Sequence, residues 1–345
     1  MTYVILPHHS ESVRLNCKYM SYSVTEVSLD SLETYRSDPK LNLNWNSIFI
    51  TPEWLQVWWR VFGEGQKLYI RLIRDADRVI GITALQLDND TACFIGDTDV
   101  CDYQDFIIEP GYEAGFFNAL LDDLKANGVK LLDLKHVRPD STVYTKLQDI
   151  AENRNFKIEC IQEDISVDMT LPPTWEEYLG LLNSKQRHEI RRKLRRLSEA
   201  GNIEYIFTDN PNDITGFADT FFKMFTESRQ DKAEFLTPQR ESFFRLLEEK
   251  MAAAGVLKLG LLKLDGRDMA SIICFDYNNS IYLYNSGYDP EFNYLSVGLL
   301  SKVLCIKDSI ESGKKIFDFL KGDEPYKFHL GGKEIPLYRC QICIG

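Results

Sequence analysis

The spacing of apolar and polar positions divides the chain into a series of strands and helices that runs through twice. Tyr22–Val27 reads as an opening strand. Pro52-Glu-Trp-Leu-Gln-Val-Trp-Trp59 follows as an aromatic helix, with Thr51 as its N-cap and Pro52 at the first helical position, where a missing N–H costs nothing. Its three tryptophans read as core and groove-lining groups. A hairpin comes next: LYIRLIR, the polar turn Asp75-Ala-Asp77, then RVIGITALQL. A helix over about Tyr112–Ala126 leads into the strand Val129-Lys-Leu-Leu-Asp-Leu-Lys135.

The same order then returns. VLKLGLLKL meets Asp265-Gly266, a strong hairpin signal. The chain comes back through MASIICFDY, turns at Asn278-Asn279-Ser280 and continues as IYLYNSGY. A helix over about Ser296–Glu311 leads to Lys315-Ile-Phe-Asp-Phe-Leu320. Gly128-Val-Lys-Leu-Leu-Asp133-Leu lies on Gly313-Lys-Lys-Ile-Phe-Asp318-Phe with an offset of 185 residues, and Arg78 lies on Arg267 with an offset of 189. A repeat this long is a domain duplication rather than a solenoid. Strand-like FKIECI and ISVDMTL end at Pro172-Pro173, so the join falls near residues 155–175. The division is residues 1–165 and 166–345, two α/β (α+β) units with mixed, mainly antiparallel sheets.

A length of 345 residues suits two domains. No run approaches the roughly 18 to 20 apolar residues of a membrane-spanning helix. The opening MTYVILPHHSES has no basic region followed by an apolar stretch, which predicts no signal peptide and a cytoplasmic location. Cys93, Cys101, Cys160, Cys274 and Cys305 sit singly and read as buried thiols. Cys340 and Cys343 form one CxxC without the second pair that zinc needs, in a segment that alternates like a strand, so no metal is expected. The net charge of −12 argues against broad nucleic-acid binding. One stretch runs the other way: KQRHEIRRKLRR, Lys185–Arg196, sets seven Lys/Arg against Glu189 alone.

Meander, then helix, then strand is the order of a GNAT acyltransferase. In detail the chain resembles the acyltransferases of polysaccharide biosynthesis (the CelD/BcsL type), themselves similar to the Fem-type aminoacyltransferases, which also carry two GNAT domains. The resemblance rests on Thr51-Pro-Glu-Trp54, Leu182-Asn-Ser-Lys-Gln-Arg-His-Glu-Ile-Arg-Arg192, Tyr288-Asp-Pro290, Ser296-x-Gly298-Leu-Leu300 and Phe317-Asp-Phe-Leu-Lys-Gly-Asp-Glu-Pro-Tyr-Lys327, and spans most of the chain. It implies two tandem GNAT-like domains, with an acyl-CoA co-substrate, acetyl-CoA first among them. The donor's pantetheine would lie between two splayed strands, here Ile281–Gly287 and Lys315–Leu320. Its pyrophosphate would sit at the start of the next helix, at Ser296, Val297 and Gly298, where free N–H groups and the dipole favour anions. Only Gly298 remains of the superfamily's Gly-rich loop.

The equivalent helix of the first half begins Glu109-Pro-Gly-Tyr-Glu113, two carboxylates where a phosphate would bind, whereas Ser296–Lys302 carries no acid and gains a cation. The donor is therefore assigned to the second half, and the first half becomes a degenerate copy that shapes the acceptor cleft. In the tail motif Asp323 or Glu324 is the candidate base, Tyr326 the candidate acid, and Lys327 a holder of donor phosphate or oxyanion. No covalent nucleophile stands out, so direct transfer in a ternary complex is expected. Ile190, Leu194 and Leu197 make Lys185–Arg196 an amphipathic helix whose cationic face is either solvated or reads an anionic acceptor through residues such as Arg191 and Arg192. Arg229, Asp231 and Asp318 complete the acceptor-side candidates. The expected activity is acyl transfer to an amine or hydroxyl of a sugar, polysaccharide precursor or related surface component. The alternatives are a Fem-type aminoacyl-tRNA-dependent ligase, which would bring in tRNA, and a binding protein that has lost its chemistry.

Overall fold

A computed structural model describes residues 22–210 and 216–345; the opening segment read for a signal peptide lies outside them. The first half runs β1 (Tyr22–Glu26), α1 (Leu32–Ser37), α2 (Pro52–Phe62), β2 (Lys67–Asp75), β3 (Arg78–Asp88), β4 (Thr91–Phe94), β5 (Ile107–Ile108), α3 (Glu113–Ala126), β6 (Leu131–Val137), α4 (Gln148–Asn153) and β7 (Lys157–Thr170). The second runs α5 (Trp175–Leu181), α6 (Ser184–Ser198), β8 (Ile203–Thr208), α7 (Phe217–Ser228), α8 (Gln230–Phe235), α9 (Pro238–Ala253), β9 (Leu257–Leu264), β10 (Arg267–Tyr277), β11 (Ser280–Tyr288), α10 (Val297–Glu311), β12 (Ile316–Lys321), α11 (Pro325–His329) and β13 (Lys333–Cys343).

The hairpins form where their turn residues tolerate left-handed backbone. Asp265 and Gly266 stand at φ 50° and 79°, and Asn278 and Asn279 at 49° and 59°. Thr51 does not cap α2 with its side chain; its hydroxyl donates instead to the Ile48 carbonyl at 2.8 Å.

One sheet carries both halves, in the order β1-β2-β3-β4-β6-β13-β7-β12-β11-β10-β9-β8, with β5 alongside β3. Read inward from either edge the pattern is the same: four antiparallel strands, then a parallel pair. In the first half Ala92 lies opposite Leu132, and in the second Ile281 lies opposite Phe317, positions related by the two sequence offsets. The duplication is thus preserved to the residue in the parallel pairs, with Asp133 and Asp318 on equivalent strands.

At the centre the halves exchange strands. β13 pairs with β6 of the first half, β7 pairs with β12 of the second, and β7 and β13 pair with each other. The boundary read at 165/166 falls inside β7, a single 14-residue strand. Cys160 and Cys340 face each other across this central pair and form a disulfide, Cα–Cα 4.1 Å. That corrects the reading of Cys160 as a lone thiol and of Cys340 as part of a CxxC unit. A partner 180 residues away leaves no local mark on the sequence.

Leu132 and Leu134 pack under α3, and Phe317 and Phe319 under α10. The opposite face is a joint core to which both halves contribute, with Trp54, Phe221, Phe243, Phe275 and Leu320 among its members. Trp54 is its hub, edge-on to Phe49, Phe243, Phe275 and Tyr284 and donating Nε1 to Cys101 Sγ at 3.1 Å. Alternation along β12 therefore turns Phe317 and Phe319 to α10 and leaves Asp318 on the joint face, where it meets groups from the first half.

Candidate functional site

β11 and β12 pair only from Ser280–Ile316 to Tyr282–Asp318. Beyond that point β11 stays with β10 and β12 stays with β7, so the two strands part. α10 begins at the mouth of this opening. Its N-cap, Ser296, holds φ 60° and makes no side-chain cap, which leaves the first turn without a side-chain partner for its N–H groups. Gly298 has a packing reason of its own: a Cβ there would lie 2.7 Å from the Tyr288 ring. Lys302, read as a cation offered to phosphate, is buried, donates to the Gly298 carbonyl at 2.7 Å and lies 5.1 Å from the Tyr326 ring centroid. Burial, with Lys232 nearby, lowers its pKa to about 7. The ammonium braces α10 from beneath instead of facing a ligand.

The tail motif folds back over the end of β12. Leu320 holds φ 64° and Gly322 φ 107°, and the Lys327 ammonium donates to the carbonyls of Leu320, Lys321 and Gly322 while pairing with Glu324 at 2.9 Å. Lys327 is 2% exposed. Its contacts are those of a bracket for the strand end. Burial would push the Glu324 carboxyl up, but Lys327 outweighs it and holds it below its ordinary value. Glu324 is thus half of an ion pair, a poor arrangement for a base. Asp323 is exposed beside Gln162, Glu163 and Asp164. The Tyr326 phenol is pushed up by burial and keeps its proton, as an acid must.

Arg229 and Asp231 form a bidentate pair at 2.9 and 2.7 Å, within the electrostatic reach of Glu324 and Tyr288 at the mouth. Lys232 beside them reaches the Ser286 carbonyl of β11, and its pKa falls to about 8 through burial. Arg191 and Arg192 point away, engaged with Glu176 and Glu189 on the exposed face of α6, so the structure does not bring them to Asp318.

Asp318 lies instead at the closed end of the opening, on a cavity of about 270 Å3 between the halves. Its carboxylate accepts hydrogen bonds from the Tyr103 hydroxyl and the Leu320 N–H, and Arg138 Nη1 stands 3.8 Å away. Burial raises its pKa to about 6 against the opposing pull of Arg138 and Tyr103. Arg138 donates to Asp168 at 3.0 Å and stacks over Tyr103, but its Nη1 has no hydrogen-bond partner. Asp105 completes the wall, accepting from Thr142 and Asn46. Tyr103, Arg138, Asp168 and Asp105 escaped the sequence reading because the first half supplies all but β7's Asp168 from loops. The acidic and aromatic run Asp102-Tyr-Gln-Asp105 was the one local signal. Among the described residues no cluster of three or more His, Cys, Asp or Glu side chains could hold a metal ion.

Residues 184–328 match the family model described as "Acetyltransferase (GNAT) domain". Similar solved structures include FemX, at 14% identity over 92% of this chain and 96% of that one with a TM-score of 0.63. A conserved protein from Bacteroides thetaiotaomicron follows at 10% identity, 94% and 100% coverage and TM-score 0.59. L-PGS from Bacillus licheniformis stands at 10%, 83% and 90%, and 0.53. Among curated proteins none matches significantly by sequence. The likenesses establish the fold as α/β with a mixed sheet of the GNAT kind.

Proposed function

We propose that the chain is an acyltransferase that carries an acyl group, acetyl first among candidates, from a CoA thioester on the second half to an amine or hydroxyl held between the halves. Its acceptor would be a sugar, polysaccharide precursor or related surface component, and its place of action the cytoplasm. Among the described residues no helix is long and apolar enough to cross a membrane. The observation that carries the proposal is Asp318, a buried carboxylate with its pKa raised to about 6 where the parallel strands part. A carboxylate poised below neutral pH can take the proton of an attacking amine or hydroxyl as the new C–N or C–O bond forms. The C–S bond breaks, and Tyr326 is the proton donor to the departing thiolate. The uncapped start of α10 suits the donor's pyrophosphate. Asp318 thus takes the basic role first read for Asp323 and Glu324, and Lys327 becomes a positioning residue.

A thermal-shift series with acetyl-CoA, longer acyl-CoAs and free CoA tests the donor half of this reading. A donor at 100 times its dissociation constant adds about 2.7 kcal/mol of stability. If none of the series stabilises the chain, CoA is excluded as donor. The Fem-type alternative draws on one observation: the basic helix α6 packs against α10 and the turn before it. A tRNA-borne donor should then bind with steep salt dependence.

A further inference from the structure

Asp318 and Asp168 lie directly opposite each other on the paired strands β12 and β7, so both side chains stand on one face, and both line the cavity between the halves. Like charges across a ladder repel. Arg138, which follows β6, reaches both carboxylates but divides itself unequally. Its Nη2 donates to Asp168 at 3.0 Å, while its Nη1 stays 3.8 Å from Asp318, too far for a hydrogen bond. The rest of the guanidinium is fixed as well: Nε donates to Asp140 at 3.2 Å, and Cζ lies 5.0 Å from the Tyr103 ring centroid. The arginine is committed to Asp168, and Asp318 feels its charge from a distance.

The first half shows the other arrangement at the equivalent place. Asp133 is the counterpart of Asp318, and the residue opposite it, on β13, is the neutral Gln341. With an amide across the ladder, Arg339 gives Asp133 two hydrogen bonds of 2.8 Å. The two aspartates share a register and differ in what faces them, and the grip of the arginine follows that difference. A carboxylate held by both nitrogens of a guanidinium loses much of its affinity for a proton. One with a second carboxylate alongside, and the guanidinium turned towards that neighbour, keeps it.

Other groups also face Asp318. Tyr103 donates to it from the loop before β5, the Leu320 N–H from its own strand, and Tyr282 adjoins it on β11. Asp105 shares the cavity, and Lys333 lies beyond Asp168, opposite it on β13. Asp168 acts on Asp318 twice, through its own negative charge and through its hold on the arginine.

We infer that Asp168 is a positioning residue: by drawing Arg138 to itself it keeps Asp318 from becoming half of an ion pair and leaves that carboxylate able to take a proton. This rests on the reading of Asp318 as the base, and it names the residue that preserves the base in that role. It also makes β7, a strand of the first half, part of the transfer site.

Two titrations of the full chain provide the test. One follows thiol release from acetyl-CoA with glucosamine as acceptor across pH. The other follows the carbon-13 carboxyl signal of Asp318 without substrate, the signal being identified by its loss in Asp318→Asn. The wild-type midpoint should lie at about 6. Asp168→Asn should lower it by about one pH unit, a tenfold loss of proton affinity, because a neighbouring negative charge is gone and Arg138 is left to Asp318. Arg138→Met should raise it by about one unit or more. Opposite signs from two contacting residues are not what a general loosening of the site produces. Asp168→Ser should act in the same direction as Asp168→Asn and decides the matter if the asparagine variant does not fold. A carboxyl midpoint that stays put or rises on loss of the Asp168 charge overturns the proposal, whatever the rates do. A carboxyl midpoint that falls as expected upholds the role of Asp168, and if the rate profile then fails to follow it, the base reading of Asp318 is what has failed.

Discussion

Each half opens its sheet beside a parallel pair of strands, and the two openings have the same backbone and opposite linings. In the first, Arg339 holds Asp133 bidentately and the Glu113 carboxylate accepts the Gly111 N–H, so the start of α3 is already occupied by an acid. In the second, Asp318 has no bidentate cation, its pKa stands near 6, and no side chain caps α10. Glu109 was read as part of the same barrier to phosphate. It is in fact neutralised by Arg78, much as Asp289 at the corresponding turn is engaged by Arg267. The contrast between the halves therefore rests on Glu113 and on the two aspartates. Duplication has kept the strand register, while a few side chains set a different charge arrangement at each opening.

Exchanging the chemistry of the two aspartates is the sharpest way to break this contrast. Asp318→Asn keeps one acceptor oxygen, for Leu320 or for Tyr103 but not both, and removes the base. Turnover should fall about 10² to 10⁴-fold with donor affinity little changed. Asp133→Asn should leave turnover within about twofold. Wild-type turnover should rise with pH through about 6 and level off above it, since the ionised carboxylate is the active form. Initial rates of thiol release across pH check all three, and equal losses in the two variants would sink the assignment.

Lys327 has no counterpart bracket in the first half, where the chain leaves β6 for Arg138. Lys327→Met should cost about 3 kcal/mol, because three carbonyls and Glu324 lose a shared cation. Urea unfolding measures this. A loss of donor affinity at unchanged stability would return Lys327 to the phosphate role. At the start of α10, Gly298→Asp should weaken acyl-CoA at least about tenfold more than Gly298→Ala does. The alanine control is needed because any Cβ meets Tyr288. Equal effects of the two substitutions would place the pyrophosphate elsewhere.

What could be foreseen follows the range of the interactions. Hairpins were legible because their turns are local: Asp265-Gly266 and Asn278-Asn279 announce left-handed backbone in adjacent residues. The duplication was legible because two separate stretches repeat at nearly the same offset, 189 residues at the hairpin and 185 at the strand after the helix. The exchange of β7 and β13 was not, since strand partners far apart in sequence are chosen by the whole sheet and leave only an alternating pattern behind. Lys302 and Lys327 were read as ligand-facing cations for a related reason. A lysine reads as a surface cation until the backbone around it is known, and both are buried against carbonyls. Asp318 was read only as an acceptor-side candidate, because the partners it meets, Tyr103 and Arg138, come from the other half.

The smallest expected effect separates the ends of the two openings by proton count. The pKa of Lys302 drops from an ordinary 10.5 to about 7 in the folded chain, mainly through burial, with Lys232 opposing its charge and Glu324 favouring it. Between about pH 7 and 10.5 the unfolded chain therefore holds the proton that the folded chain has released, and stability rises with pH across that window. Below pH 7 the amine is charged in both states and the full cost of burying it is present. Lys302→Met keeps the stem and deletes the charge, so its advantage over wild type should be greatest at pH 6 and shrink towards pH 9. The change should be on the order of 2 to 3 kcal/mol. Lys232 titrates in both proteins and largely cancels in the difference. Urea unfolding at pH 6, 7, 8 and 9 gives the comparison. A difference that stays constant with pH would mean that water reaches Lys302, and that the floor of the second opening is wetter than its packing against Tyr326 implies.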